Sequence, residues 1–236
     1  MKNQLIALLI CLTIASSSLY SQANNISTTS KWGQQIFLSD VNGRAFENKY
    51  SDVSGSAYLY PNFKFAIIVL KDGRTYNNVQ ARLNLVEHEV NFIASNGEQG
   101  YIGKGMVTSI LFNDTSKDGV NTYIFQTGFS PIDNQSAIHF YQVLVNGKIS
   151  LLKSINKNIE ERLNELSGEK SKEFAQRENL YVLNEGSLKR VKKDSDFFIN
   201  TMANQKEAIN QYIRTNKLNF KNEEQLKKLV EFYNSL

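Results

Sequence analysis

Short apolar, β-prone runs along this chain are separated by residue-plus-glycine pairs: Asn42-Gly43, Asp72-Gly73, Asn96-Gly97, Asp118-Gly119, Asn146-Gly147 and Glu185-Gly186. Tight hairpins need positive φ at the turn, which Gly, Asn and Asp tolerate. Ala66 to Lys71 and Thr75 to Leu85 flank the Asp72 pair, and Val90 to Ser95 and Gln99 to Lys104 flank the Asn96 pair. Phe140 to Val145 and Lys148 to Ser154 surround Asn146-Gly147, while Leu180 to Leu183 and Leu188 to Lys192 surround Glu185-Gly186. This pattern predicts β-hairpins. The apolar alternation changes parity between Leu83-Leu85 and Val90-Phe92, so Val86-Glu87-His88-Glu89 is expected in a turn. Met106 to Phe112 and Thr122 to Phe125 are further strands, joined by the polar Asn113 to Gly119. Strands this close together, about eight by Ser154 and with no helical period between them, point to antiparallel meanders.

The pattern changes after Ile155. Asn156 to Glu178 is rich in Lys, Glu, Asn and Ser, with Ile159, Leu163 and Leu166 at helical spacing, and it reads as a polar linker or insertion. A last hairpin, 179–193, precedes a helical tail, 194–236. Asp194 or Ser195 can cap a helix carrying Phe198, Met202, Ile209 and Ile213, and Asn216 to Phe220 interrupts it. Asn222 with Gln225 then fits a capping box opening a second helix, with Leu226, Leu229, Val230 and Tyr233 on one face. The expected fold class is therefore α+β: antiparallel hairpins in a curved sheet or partial barrel over 55–155, with a C-terminal helical hairpin packed on it. Residues 24–54 are expected to be an N-terminal extension, partly ordered.

The first 23 residues read as a cleavable signal peptide: Lys2, the apolar run Leu5 to Ile14, then a small and polar stretch ending at Ala23. About ten apolar residues are too few to span a bilayer, which takes roughly 20. Ile10 before Cys11 disfavours a lipid-modified cysteine, and cleavage would remove the chain's one cysteine. The mature chain is then expected to be exported without an internal disulfide. Without Lys2, 26 basic residues face 23 acidic ones, a net of +3 that is too slight and too dispersed to indicate nucleic acid.

The residues expected to carry chemistry are few. His88 and His139 are the only imidazoles. Three consecutive residues, Glu87, His88 and Glu89, rarely converge on one ion, so they read as a solvated turn tip, and His139 reads as a hydrogen-bonded, half-buried strand residue. There is no Gly-x-Ser-x-Gly run, and Gly100-Tyr101-Ile102-Gly103-Lys104-Gly105 lacks the spacing of a phosphate loop. No catalytic residue, cofactor site or metal site is assigned. The candidate interaction surface comprises Lys189, Arg190, Lys192 and Lys193, which strand alternation would divide between two faces, together with the aromatics Tyr58, Tyr60 and Phe63 around Pro61. A charged edge strand that resists aggregation and an anionic or lipid-headgroup contact are the two readings of the basic cluster.

Three stretches together resemble a group of uncharacterised exported proteins of Bacteroidota: Gly55 to Phe63 with Tyr76 to Val79, Ala81 to Leu85 and Glu89 to Phe92; Phe140 to Leu152; and Asn216 to Phe220 through Leu229 to Leu236. Ala57, where proline is typical of the group, and the 156–178 stretch depart from the pattern. The resemblance implies an envelope protein, periplasmic or outer-membrane-associated, and carries no catalytic residue or ligand with it. The leading expectation is a non-enzymatic structural or interaction protein whose partner is an envelope protein. The runner-up is a carrier of a lipid or other apolar ligand in a half-barrel closed by the helices, and a hydrolase with a carboxylate site comes third.

Overall fold

The computed structural model describes residues 50–116, 119–163 and 168–236, so the signal segment 1–23 and residues 24–49 of the extension lie outside the described residues. Eleven strands form one open sheet: β1 (Val53–Ser54), β2 (Lys64–Leu70), β3 (Thr75–Asn84), β4 (Glu89–Ile93), β5 (Gln99–Ile102), β6 (Val107–Ser116), β7 (Gly119–Gln126), β8 (Tyr141–Val145), β9 (Ile149–Leu163), β10 (Lys170–Asn184) and β11 (Ser187–Arg190). The helices are α1 (Ser195–Thr201), α2 (Lys206–Thr215) and α3 (Glu223–Ser235), with a 3-10 turn at Ala203–Gln205. The α+β class and all eight strands expected between Ala66 and Ser154 are present.

Three features differ from the sequence reading. First, the sheet order is β1-β10-β9-β8-β7-β6-β2-β3-β4-β5 with β11 on β10, so β6 pairs with β2 instead of following β5. The β2–β5 block is a meander of its own, joined to the β6–β10 meander through β2. Second, Asn156 to Glu178 is not a linker. Residues 156–163 and 170–178 are the outer half of a long β9–β10 ribbon that is paired residue for residue from Ile149↔Asn184 to Leu163↔Lys170. Charges on both strands engage each other across it, Arg162 with Glu173 and Arg177 with Glu160. The few large apolar residues of this outer half, Ile159, Leu163 and Phe174, share one face but are interleaved with charges, and Ile159 and Leu163 are exposed, so its sequence looks like that of a linker. Third, β6 and β7 stay paired from Asn113↔Thr122 to Ser116↔Gly119, so Asn113 to Ser116, expected in a polar loop, are strand.

Three cores follow from how the sheet bends. Bulges in β2 break the register at Ala66/Ile68 and Val69/Leu70, which strengthens the local twist. The β2–β7 region curls around Ile68, Leu83, Phe92, Ile110 and Phe112 until the β3–β4 turn meets β9, where Lys157 N donates to Leu85 O (3.2 Å). Over Ile149 to Ile155, β9 is buried on both sides apart from a half-buried Lys153. Leu151 and Val182 face the helices; Leu152, Tyr141 and Tyr181 face the β7–β8 loop.

The C-terminal segment docks where expected but as three helices. Phe198, Met202, Ile209, Leu226, Leu229 and Val230 are fully buried against the sheet. Asp194 caps α1 by accepting from Phe197 N (2.8 Å), and Asn222 caps α3 by accepting from Gln225 N (3.1 Å). Gln225 completes no reciprocal box, because its Oε1 instead accepts from Asn219 N (2.7 Å). The break after α1 falls at the buried Met202, and α3 supports it through Tyr233 OH, which donates to Asn204 Oδ1 (3.0 Å).

The end of α3 grips the sheet through one side chain. Asn234 Oδ1 accepts from Ile149 N (3.0 Å) and its Nδ2 donates to Ile149 O (2.9 Å), so the amide pairs with β9 as a neighbouring strand would. It lies directly over Gly147, where an added Cβ would come within 2.3 Å of Asn234 Nδ2. The glycine of this turn is thus required for close approach. Gly147→Ala and Asn234→Ala should each lower stability by about 1–3 kcal/mol, because each breaks the same two hydrogen bonds and leaves backbone groups of Ile149 without partners. Denaturant melts of both single variants and the double variant should show costs that do not add; additive losses would mean that the two residues act separately.

Candidate functional site

Four residues of the basic cluster lie at the junction between sheet and helices. β11 follows β10 through the two-residue turn Glu185-Gly186, with φ of 50° and 75°, the positive pair that a tight hairpin with the strands' own twist requires. In the ladder Asn184↔Ser187, Leu183↔Leu188, Val182↔Lys189, Tyr181↔Arg190, the turn makes Asn184–Ser187 a hydrogen-bonded pair, and alternation makes Val182–Lys189 the next. Val191 N donating to Leu180 O (2.9 Å) continues the series. The N–H and C=O groups of Leu188 and Arg190 therefore point away from β10. Among the described residues nothing hydrogen-bonds to them.

Alongside that edge runs a cleft of about 660 Å³, bounded by α1 on the other side and lined by Leu188, Lys189, Arg190, Lys192, Phe197 and Asn200, with Ile132 and Thr201 at its margins. Strand alternation does send Lys189 toward the helices and Arg190 toward the β7–β8 loop, as the sequence predicts. The division loses its consequence because the cleft follows the strand's edge and collects both. Lys192 joins them beyond the end of β11, whereas Lys193 faces a second cavity of about 260 Å³ lined also by Lys153, Glu178, Arg190 and Glu223. Arg190 is held in place by Asn179 Oδ1 (2.5 Å) and by Asp133 Oδ2 (3.6 Å). Asp194 and Asp196 also border the cleft, but the Asp194 carboxylate is engaged in capping α1 and Asp196 accepts from Ser195 Oγ (3.4 Å).

The aromatic part of the expected surface is occupied within the molecule. Tyr58 and Phe63 enclose the guanidinium of Arg82, 3.7 and 4.4 Å from the ring centres, and Tyr60 stands edge-on to Phe112 beneath Lys64. These contacts fasten the segment before β2 onto the outer face of β3, where Leu59 N donates to Leu83 O and Leu85 N to Ala57 O.

Behind the cleft lies a buried polar network that the sequence did not reveal. Tyr181 OH donates to Asp133 Oδ2 (3.0 Å), Tyr141 OH donates to Gln135 Oε1, Gln135 Nε2 donates to Ser154 Oγ (3.0 Å), and Ser154 Oγ meets His139 Nε2 (3.1 Å). The β7–β8 loop supplies Asp133, Gln135 and His139, and also Ile132 at the cleft, so one loop joins the two. Burial pushes the Tyr181 hydroxyl up to about 12 with Asp133 adding to it, and it holds the Tyr141 hydroxyl well above its ordinary range. No periodicity marks these residues; only the fold brings them together.

His139 also lies against His88, ring centres 3.7 Å apart and planes tilted by 38°, so the chain's two histidines meet. The expected solvated turn tip is thus half-buried at His88, which has a φ of 53° and a buried Nδ1 without a partner. Glu87 is the part of that turn that reaches outward, pairing with Lys104 (2.5 Å). His139 sits just before β8 and not within it. Burial, with His139 and Lys104 adding to it, pushes His88 down to about 3; burial pushes His139 down to about 4 against the hydrogen bond it donates to Asn156. Ser154, fully buried, is closed to a substrate. Among the described residues no three His, Cys, Asp or Glu side chains gather for a metal.

Comparison of the chain with protein-family models, with curated proteins and with solved structures returned no match. No helix of the described residues is long and apolar enough to cross a membrane.

Because both histidines are depressed in the folded protein, the unfolded chain binds more protons than the folded one below about pH 6.5. Their contribution is complete above that pH and is lost as the pH falls toward 4, with a slope of up to about 1.4 kcal/mol per pH unit for each histidine. Urea melts from pH 7.5 to 4.5 should show this loss, and the variant with both His88→Gln and His139→Gln should show a flatter profile. An unchanged profile would place the acid sensitivity elsewhere.

Proposed function

We propose that this chain is a non-enzymatic interaction protein of a bacterial cell envelope and that the β11–α1 cleft is its contact surface. The observation that carries the reading is the convergence of Lys189, Arg190 and Lys192 on one cleft beside a strand edge whose outward backbone groups are unused. The signal-like N-terminus and the resemblance to exported Bacteroidota proteins support the location. The packing supports the role: helices and sheet bury each other, and Asp133 and Asn179 orient Arg190 before any partner arrives.

The carrier reading is weaker for a physical reason. The space a lipid chain would need between sheet and helices is filled by Phe198, Met202, Ile209, Leu226 and Leu229, all fully buried. The two cavities at that junction are bordered by charged side chains. A hydrolase would need a pair of free carboxylates or an exposed nucleophile; of the two carboxylates at the cleft, Asp194 caps α1 and Asp196 accepts from Ser195 Oγ, and Ser154 beside His139 is buried.

A photo-crosslinking residue placed at Thr201, in the cleft, should yield a discrete protein adduct in intact envelopes. The same residue at Gln80, on β3, should not. Combining Lys189→Glu with Lys192→Glu should reduce the Thr201 adduct about tenfold, the scale of losing one or two charge contacts. Equal labelling from both positions would overturn the reading, and a lipid recovered from the purified native protein would replace it with the carrier.

A further inference from the structure

We infer that the β11–α1 cleft takes an extended, acidic peptide segment of a partner protein, which adds to the open edge of β11 as a further strand. This inference rests on the reading of the cleft as the contact surface and adds what the surface recognises. Three observations lead to it. The first is the edge itself: Leu188 and Arg190 both line the cleft although their neighbour Lys189, with its side chain on the opposite face, lines it too. Consecutive residues border the same space only when the space faces the backbone edge, and the backbone groups there are the N–H and C=O of Leu188 and Arg190. An extended chain can satisfy these donors and acceptors at about 4.8 Å from β11.

The second observation is the size and shape of the space. The cleft's far wall is α1, so an added strand would have β11 on one side and the helix face of Phe197, Asn200 and Thr201 on the other. Its volume of about 660 Å³ suits a short extended segment. β11 is four residues long, and a partner strand beside it would span roughly 13 Å. Ile132 and Phe197 offer apolar contact to side chains of that segment.

Charge is the third. Lys189 and Arg190 project to opposite faces of the strand and Lys192 stands beyond its end; of the carboxylates nearby, Asp194 caps α1, Asp133 orients Arg190, and Asp196 lies on the α1 side, so Lys189 and Lys192 carry the surplus positive charge. A peptide strand with acidic residues on both its faces would therefore find a cation on each side. The same distribution argues against a second copy of this chain pairing edge to edge through β11, because Lys189, Arg190 and Lys192 of the two copies would face one another. Like charges directly opposite across a sheet are destabilising.

The test uses the mature full-length protein and a short labelled peptide alternating glutamate with valine. Its controls are the same peptide with lysine in place of glutamate, and two glutamate peptides N-methylated on alternate backbone amides, one for each edge. The glutamate peptide should bind and slow hydrogen exchange at the Leu188 and Arg190 amides, measured residue by residue by NMR. The Lys189 amide, already bonded to β10, should not change. N-methylation of the bonding edge should weaken binding at least tenfold while methylation of the other edge leaves it nearly unchanged. Combining Lys189→Glu with Lys192→Glu should weaken it by a similar factor and improve binding of the lysine peptide.

Absence of binding, binding indifferent to N-methylation of either edge, or protection appearing at the β5 edge instead would each overturn the inference. A concentration-dependent dimer protected at β11 would overturn it in favour of a second copy. If Thr201 still crosslinks a partner while these peptide results fail, the contact surface stands and only the acidic-strand ligand is lost; loss of the crosslink removes the surface as well.

Discussion

The structure depends on the burial of β9 on both of its faces. From Ile149 to Ile155 this strand sends Leu151 into the helical layer and Leu152 into the layer under the β7–β8 loop, and β10 does the same with Val182 and Tyr181. A strand pair covered on both sides cannot slip by one residue, since every side chain would then enter the wrong core. The register so imposed continues outward along the polar ribbon, where Arg162 meets Glu173 and Arg177 meets Glu160. At the surface such pairs contribute little stability. They are a consequence of a register determined by the buried half.

The same constraint places the helices. With one face of β8–β10 apolar and bare, the C-terminal segment is needed to cover it, and six fully buried side chains do so at roughly 1.5–3 kcal/mol each before the entropy of ordering is counted. Asn234 adds direction to that attraction, because an amide that pairs with Ile149 at both N and O admits one placement of α3. Once α3 is placed, Tyr233 reaches Asn204, the break between α1 and α2 is supported, and α1 comes to rest beside β11. The cleft is therefore a product of helix docking. Neither β11 nor α1 alone would enclose a space.

On the other face the β7–β8 loop has two roles that share residues. Toward the interior it supplies Gln135 and His139 to a network ending at the contact with His88, and this helps hold the curled β2–β7 region against β9. Toward the surface it supplies Asp133 to Arg190 and Ile132 to the cleft. A buried network of this kind is stable only when its members have partners, and two neutral imidazoles in contact meet that condition near neutral pH. The orphaned Nδ1 of His88 is the exception, and it lies in the turn held at positive φ.

Much of this fold is legible in the sequence, and the parts that are not share a cause. Residue-plus-glycine pairs and alternation identify the hairpins because turn chemistry and one-sided burial are local. Helical spacing and the capping residues Asp194 and Asn222 identify the tail for the same reason, down to most of its buried side chains. The basic run 189–193 is visible as composition. What the sequence could not supply is whatever depends on which segments meet: the insertion of β2 beside β6, the polar ribbon mistaken for a linker, the contact of His88 with His139 across the curl, and the occupation of Tyr58 and Phe63 by Arg82. The cleft belongs to this second group, since alternation rightly sends Lys189 and Arg190 to opposite faces and only the docking of α1 along the strand's edge brings them to one space. Local periodicity determined the elements; long-range burial, acting through β9, decided how they are arranged.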